Sequence, residues 1–239
     1  SRRMFVPFHD GMISQFEGYE ELAELEWDAY RERYGNIQRL DRILEAEDDD
    51  VNRYQASKQA DALMLLYLLS SDELRELLSR LGYHLAPAKI PEMVDYYLAR
   101  TSDGSTLSAV VHAWVLARAN RDRALEFFQK ALASDISDIQ GGTTSEGVHL
   151  AAMAGSVDFV QRCFTGLEIR SNRIVLSPQW PEFLGPLGFP LHYRGSHLHV
   201  RVSGKGAEIS VDPRDVPPVE VECRGRVEKL MPGSVVRFT

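Results

Sequence analysis

Three short stretches of this chain gather hydroxyls and a basic group just ahead of a run that is helical by pattern, a place that attracts anions. The richest is Gly141-Gly142-Thr143-Thr144-Ser145-Glu146-Gly147-Val148-His149, which leads into the small-residue run from Leu150 to Gly155. Thr143, Thr144 or Ser145 can cap the helix that follows, and its free N–H groups and positive dipole end favour a phosphate or carboxylate. His149 falls within about the first turn, in reach of such a ligand. A capped core helix with a satisfied histidine accounts for the same residues equally well, so this stretch alone does not decide.

The second stretch is Ser57-Lys58-Gln59-Ala60-Asp61, opening onto Ala62 to Leu69, which is apolar almost all round and must be buried. An unpaired ammonium in such a place is costly. Lys58 and Gln59 therefore face either an ion-pair partner such as Asp61 or a hydroxylated ligand in a cavity. The third runs from Arg100 to Ser108, with Asp103-Gly104 as turn chemistry and Ser105-Thr106 at the mouth of the apolar run Ala109 to Ala117.

The elements that must hold these mouths follow from periodicity. Helical spacing predicts helices near 19–34, 56–69, 71–81, 91–100, 106–119, 121–134 and 145–163. After Thr165-Gly166 the pattern changes to short β-prone runs at 173–176, 191–193, 197–202, 207–211, 219–223, 227–230 and 235–238, separated by turn residues. The stretch from Trp180 to Gly188 reads as a connecting loop. The expected class is α+β, with a helical domain over 1–165 and a small antiparallel β-sandwich over 166–239.

Composition narrows the partners. With 239 residues, 44% of them hydrophobic, and a net charge of -8, the chain can bury a large core and is a poor match for nucleic acid or an anionic membrane. Cys163 and Cys223 lack metal-ligand spacing, so free thiols in a reducing, cytoplasmic setting are expected. His192, His197 and His199 alternate with apolar residues as any half-buried strand does, and no metal is expected there. His9-Asp10-Gly11 reads as a turn, Asp48-Asp49-Asp50 as a solvated loop, and Trp114 with Tyr96-Tyr97 as core.

The three stretches in this order, Lys58-Gln59-Ala60-Asp61, then Gly104-Ser105-Thr106-Leu107-Ser108, then Thr144-Ser145-Glu146-Gly147-Val148-His149-Leu150-Ala151-Ala152-Met153-Ala154-Gly155, resemble the last third of glycoside hydrolase family 65. That family comprises maltose, trehalose, kojibiose and nigerose phosphorylases and some hydrolases, and the resemblance covers nearly the whole chain. It implies part of an (α/α)6 barrel followed by the β-sandwich. It implies that Lys58 and Gln59 bind the non-reducing glucose and that Ser105, Thr106, Gly147 and His149 bind inorganic phosphate, a co-substrate, with no cofactor or metal. The substrate class is a glucose disaccharide. Two rival readings are weaker: a helical-repeat interaction module lacks a repeat of about 34–45 residues, and a carbohydrate-binding module lacks a row of aromatics on its strands.

One feature of the family is missing. Its general acid, a glutamate in an Asp-Glu-Tyr-His-like motif upstream of the Lys-Gln pair, has no counterpart among Glu17 to Glu26 or Glu45 to Asp50. The chain is therefore expected to be a C-terminal fragment of a larger enzyme, without a catalytic residue of its own. Helices cut from a barrel leave an apolar face, so self-association, or pairing with the missing N-terminal half, is expected. General acid catalysis is worth about 10² to 10⁴ in rate, so the purified chain should release no glucose 1-phosphate from maltose, trehalose or kojibiose with phosphate; measurable release would place the acid within it.

Overall fold

The run from Ser108 to Leu116 has no polar face, and the chain buries it by laying other helices around it. The structure, a computed structural model, describes residues 4–117, 121–137, 145, 147–170, 172–214 and 216–239. It divides into two compact units, one ending at Ser156 and the other beginning at Val157.

The first unit opens with a hairpin of β1 (Phe8–His9) and β2 (Met12–Ile13) about the Asp10-Gly11 turn. Helices follow: α1 (Trp27–Tyr34), α2 (Leu40–Ala46), α3 (Asp61–Leu68), α4 (Ser71–Leu81), α5 (Lys89–Ala99), α6 (Thr106–Leu116), α7 (Arg121–Ala133) and α8 (Leu150–Asp158). The bounds of α4 are those the pattern predicts, because Ser70 and Glu73 form a reciprocal capping box at one end and Gly82 ends the other. Helix α3 starts later than expected, since Ser57 is drawn into a parallel bridge with Thr101 and stays extended. Its first turn is capped from the hairpin side, where the Ala62 N–H donates to Gln15 Oε1 at 3.1 Å.

Packing fixes the direction of each neighbour of α6. Ala109 and Val110 share a cluster with Ala131, and the His112 ring meets Phe127 edge-on at 5.1 Å, so α7 runs antiparallel to α6. Helix α3 runs parallel to it: Tyr67 packs on Trp114 at 5.2 Å at one end, and Ser108 Oγ donates to the Lys58 carbonyl at 3.0 Å at the other. Helix α8 is parallel too, with Ala152 and Met153 in the cluster of Leu107 and with Gly155 against Val110. The first turns of α3, α6 and α8 and the last turn of α7 thus share one end of the unit.

The second unit continues from a π-helical turn at Phe159–Cys163 into strands β3 (Glu168–Ile169), β4 (Ile174–Leu176), β5 (Leu187–Tyr193), β6 (Ser196–Ser203), β7 (Gly206–Val211), β8 (Val219–Cys223), β9 (Arg226–Leu230) and β10 (Val235–Phe238). They form two sheets, ordered β10-β7-β6-β5 and β3-β4-β8-β9. The first is antiparallel throughout. In the second the β4–β8 pair is parallel, a departure from an all-antiparallel sandwich. Strand β5 reaches back to Leu187, into the stretch expected to be a loop, and tolerates Pro190 because it is an edge strand. Alternate residues of β6 (Leu198, Val200, Val202) are buried, the pattern of one dry face. No helix among the described residues is long and apolar enough to cross a membrane.

Close approach of α8 to α6 depends on a missing side chain. A Cβ at Gly155 would lie 2.8 Å from Val110 Cγ1, and a β-branched valine has little freedom to move aside. Overpacking costs about 1–3 kcal/mol and outweighs the gain of about 1 kcal/mol in helix propensity. Gly155→Ala should therefore lower stability in a denaturant titration, and less so in a Val110→Ala background; equal losses in both would place the strain elsewhere.

Candidate functional site

The shared end of α3, α6, α7 and α8 collects Lys58-Gln59, Ser105-Thr106 and Gly147-His149. Three helix N-termini point to it, so its fixed backbone charge is positive.

Lys58 lies in the loop ahead of α3, tied by backbone to the loop ahead of α6: the Ser57 N–H donates to the Arg100 carbonyl at 3.1 Å and the Ser102 N–H to the Ser57 carbonyl at 2.9 Å. Its ammonium is half exposed, and its partner is not Asp61 but Asp41, 3.0 Å away on α2. Burial works to raise the Asp41 carboxyl, but the Lys58 hydrogen bond and charge, with the Arg42 backbone and Arg39, hold it below the usual range. Gly104 closes the contact between the loops: a Cβ there would collide with the Gln38 carbonyl and come 3.2 Å from Lys58 Cγ. Gln59 is half-buried beside Lys58.

Ser105 caps α6, its Oγ accepting from the Leu107 N–H at 3.3 Å, which leaves its hydroxyl proton free to donate outward. Thr106 opens the helix. Two turns deeper, the Nδ1 of buried His112 lies 3.0 Å from Asp103 Oδ1, off the line that a hydrogen bond requires. Asp103 holds a left-handed φ of 55°, a conformation that aspartate tolerates better than most residues.

The helix expected over 145–163 starts only at Leu150, so His149 sits in the N-cap position of α8 and not within its first turn, with its carbonyl accepting from Ala152 and Met153 at 3.0 and 3.1 Å. Gly147 precedes it at φ 114°. Asp135, just past the end of α7, holds His149 twice: Oδ1 lies 2.5 Å from ring Nδ1, and the His149 backbone N–H donates to the same carboxylate at 3.0 Å. The ring hydrogen bond, against the opposing effect of burial and with the backbone N–H in support, keeps the Asp135 carboxyl below the usual range. The expected caps Thr143 and Thr144, with Gly141, Gly142 and Glu146, lie outside the described residues.

The structure thus brings all six candidates to one end and adds three carboxylates: Asp41 and Asp135, which pattern reading missed, and Asp103, which it read only as turn chemistry. A capped turn after α7 would have hinted at Asp135, but its partner is 14 residues on. A cavity of about 550 Å³ lies among the far ends of α3 and α6, lined by Leu66, Trp114 and Leu116, and holds none of the six. No group of His, Cys, Asp and Glu among the described residues is arranged to hold a metal.

Residues 1–158 match the model of the glycosyl hydrolase family 65 central catalytic domain, and residues 167–230 match that family's C-terminal domain. An uncharacterized glycosyl hydrolase of Mycobacterium tuberculosis (strain H37Rv) is 71% identical over 236 residues, 99% of this chain and 18% of that protein. The trehalose 6-phosphate phosphorylase of Lactococcus lactis is 39% identical over 194 residues, 81% of the chain and 25% of that protein. A solved structure assigned as a kojibiose phosphorylase from the human microbiome superposes with a TM-score of 0.75 over 99% of the chain and 29% of its own, at 19% identity, and shares its fold.

The Asp135 lock has a pH limit. Its carboxyl is depressed in the folded chain, so its contribution is complete above the ordinary aspartate range of about 3.9 and is lost as pH falls through the lower folded value. Hydrogen-exchange protection of the His149 amide should therefore fall on acidification through that window; protection that lasted until global unfolding would assign the amide another acceptor.

Proposed function

The chain belongs to glycosyl hydrolase family 65, and on that premise we propose that it is part of an inverting α-glucoside phosphorylase. The observation that carries this reading is the gathering, at one end of the helical unit, of a Lys-Gln pair and two helix mouths that bear Ser105, Thr106 and His149. Such a set offers hydroxyls, backbone N–H groups and an imidazole to a phosphate, and an ammonium and an amide to a sugar. Relatives named as phosphorylases point the same way, though the chain spans only 18% and 25% of the two relatives described above.

In this reading Lys58 and Gln59 hold the glucose that is transferred. Ser105, Thr106 and His149, with the backbone at Gly147, hold inorganic phosphate on the opposite face of the anomeric carbon. A general acid from outside this chain protonates the leaving oxygen as phosphate attacks. Inversion then needs no second carboxylate, because phosphate replaces the activated water. The products are β-glucose 1-phosphate and the second sugar, and no cofactor takes part. Buried Cys223, which forms no disulfide, suits a reducing, cytoplasmic setting.

The test uses the intact polypeptide that carries this chain, supplied with phosphate and trehalose, trehalose 6-phosphate or kojibiose. His149→Ala should raise the KM for phosphate by about tenfold or more, the worth of a hydrogen bond to a charged group, and leave that for disaccharide nearly unchanged. Glucose release that ignores phosphate would make the protein a hydrolase instead.

A further inference from the structure

Asp135 contacts His149 more closely than packing requires. One carboxylate oxygen lies 2.5 Å from ring Nδ1, and the pair of oxygens lies 3.2 and 3.0 Å from the backbone nitrogen of the same residue. The Asp135 side chain is 12% exposed and that of His149 26%, so the carboxylate is enclosed while the ring keeps an open edge. Asp135 stands where it does because α7 runs antiparallel to α6 and delivers its C-terminal turn to the mouth of α8. That turn is fixed in its own right, with the Ser137 and Ile136 N–H groups donating to the Ala133 carbonyl at 2.9 and 3.0 Å.

An ionised carboxylate only accepts, so the Nδ1 proton is committed to Asp135. A neutral ring would then turn a bare lone pair at Nε2 toward any ligand, and a lone pair repels a phosphate dianion. Nε2 donates only when both nitrogens carry protons, the form in which the ring would meet a phosphate anion. We propose that Asp135 is the positioning residue of His149: it fixes the ring's orientation and takes its Nδ1–H, so that Nε2–H is the atom donated to inorganic phosphate. This inference rests on the phosphorylase reading of the site.

A double-mutant cycle in the intact polypeptide tests it, with inorganic phosphate varied at a saturating concentration of the disaccharide that is cleaved. Asp135→Asn should raise the phosphate KM about 10- to 100-fold, as loss of a charged hydrogen-bond partner does, with little change in the KM for disaccharide. In a His149→Ala background the same substitution should change the phosphate KM less than about twofold, because the residue it acts through is gone. Asp135→Glu, which keeps a carboxylate, should recover most of the loss, and both variants are checked for an unchanged melting temperature. Equal rises in the two backgrounds, or no rise from Asp135→Asn, would overturn the positioning role while leaving the phosphate site intact. If His149→Ala itself left the phosphate KM unaltered, or the wild type needed no phosphate, the phosphorylase reading would fall, and this inference with it. If Asp135→Asn does not fold, Asp135→Glu decides: a near-wild-type phosphate KM supports the positioning role, and a failure to fold or a KM as high as that of His149→Ala overturns it.

Discussion

Helix α6 has to be covered on every side, and that requirement places everything else in the helical unit. From Ser108 to Trp114 every residue is buried, and it ends in a buried Leu116. Coverage at close range needs small residues on the neighbours, supplied by Ala131 of α7 and by Ala152 and Gly155 of α8. The parallel course of α3 and α8 beside α6 then brings three N-termini out together. The positive end of the site is therefore a consequence of how the core packs, not of a cluster of basic side chains.

That difference governs the chemistry proposed for it. Each basic group at this end is matched by a carboxylate: Lys58 by Asp41 at 3.0 Å, His112 by Asp103 at 3.0 Å and His149 by Asp135 at 2.5 Å. These side chains carry no net positive charge, leaving hydroxyls, backbone N–H groups and helix dipoles as the attraction for an anion. Under the phosphorylase reading this suits a nucleophile that must be held in line yet remain free to attack. An uncompensated arginine cluster would hold phosphate more tightly and lower its reactivity.

Helix α4 and most strands were legible from sequence because their signals are local. Ser70, Glu73 and Gly82 mark α4 within one stretch of chain, and alternation marks β6 and β8. Helix α2 escaped notice because its seven residues, Leu40 to Ala46, mix charged and apolar types without a long period. With it went Asp41, and the nearer Asp61 took its place as the expected partner of Lys58. The same limit applies to the late start of α3 and to the parallel β4–β8 pair, each set by hydrogen bonds to residues more than 40 positions away. The six candidate residues were legible as a motif; the carboxylates that hold two of them in place were not, because pairing across a fold leaves no spacing to read.

Histidines paired with acids are common in this chain, so the pairing by itself does not single out His149. His9 lies 3.3 Å from Asp10 and His199 lies 3.5 Å from Asp212, both with largely open side chains, and neither stands at a helix N-terminus. Solvent screens such pairs and leaves the rings free to turn. His112 has the opposite fault: at 1% exposure it has no edge for a ligand, and its ring is spent on packing against Phe127. His149 alone among these four combines an enclosed acid partner, an open ring edge and the N-cap of a helix. The acid removes the ring's freedom and the helix supplies the field, which under the phosphorylase reading leaves the ring's other nitrogen for phosphate.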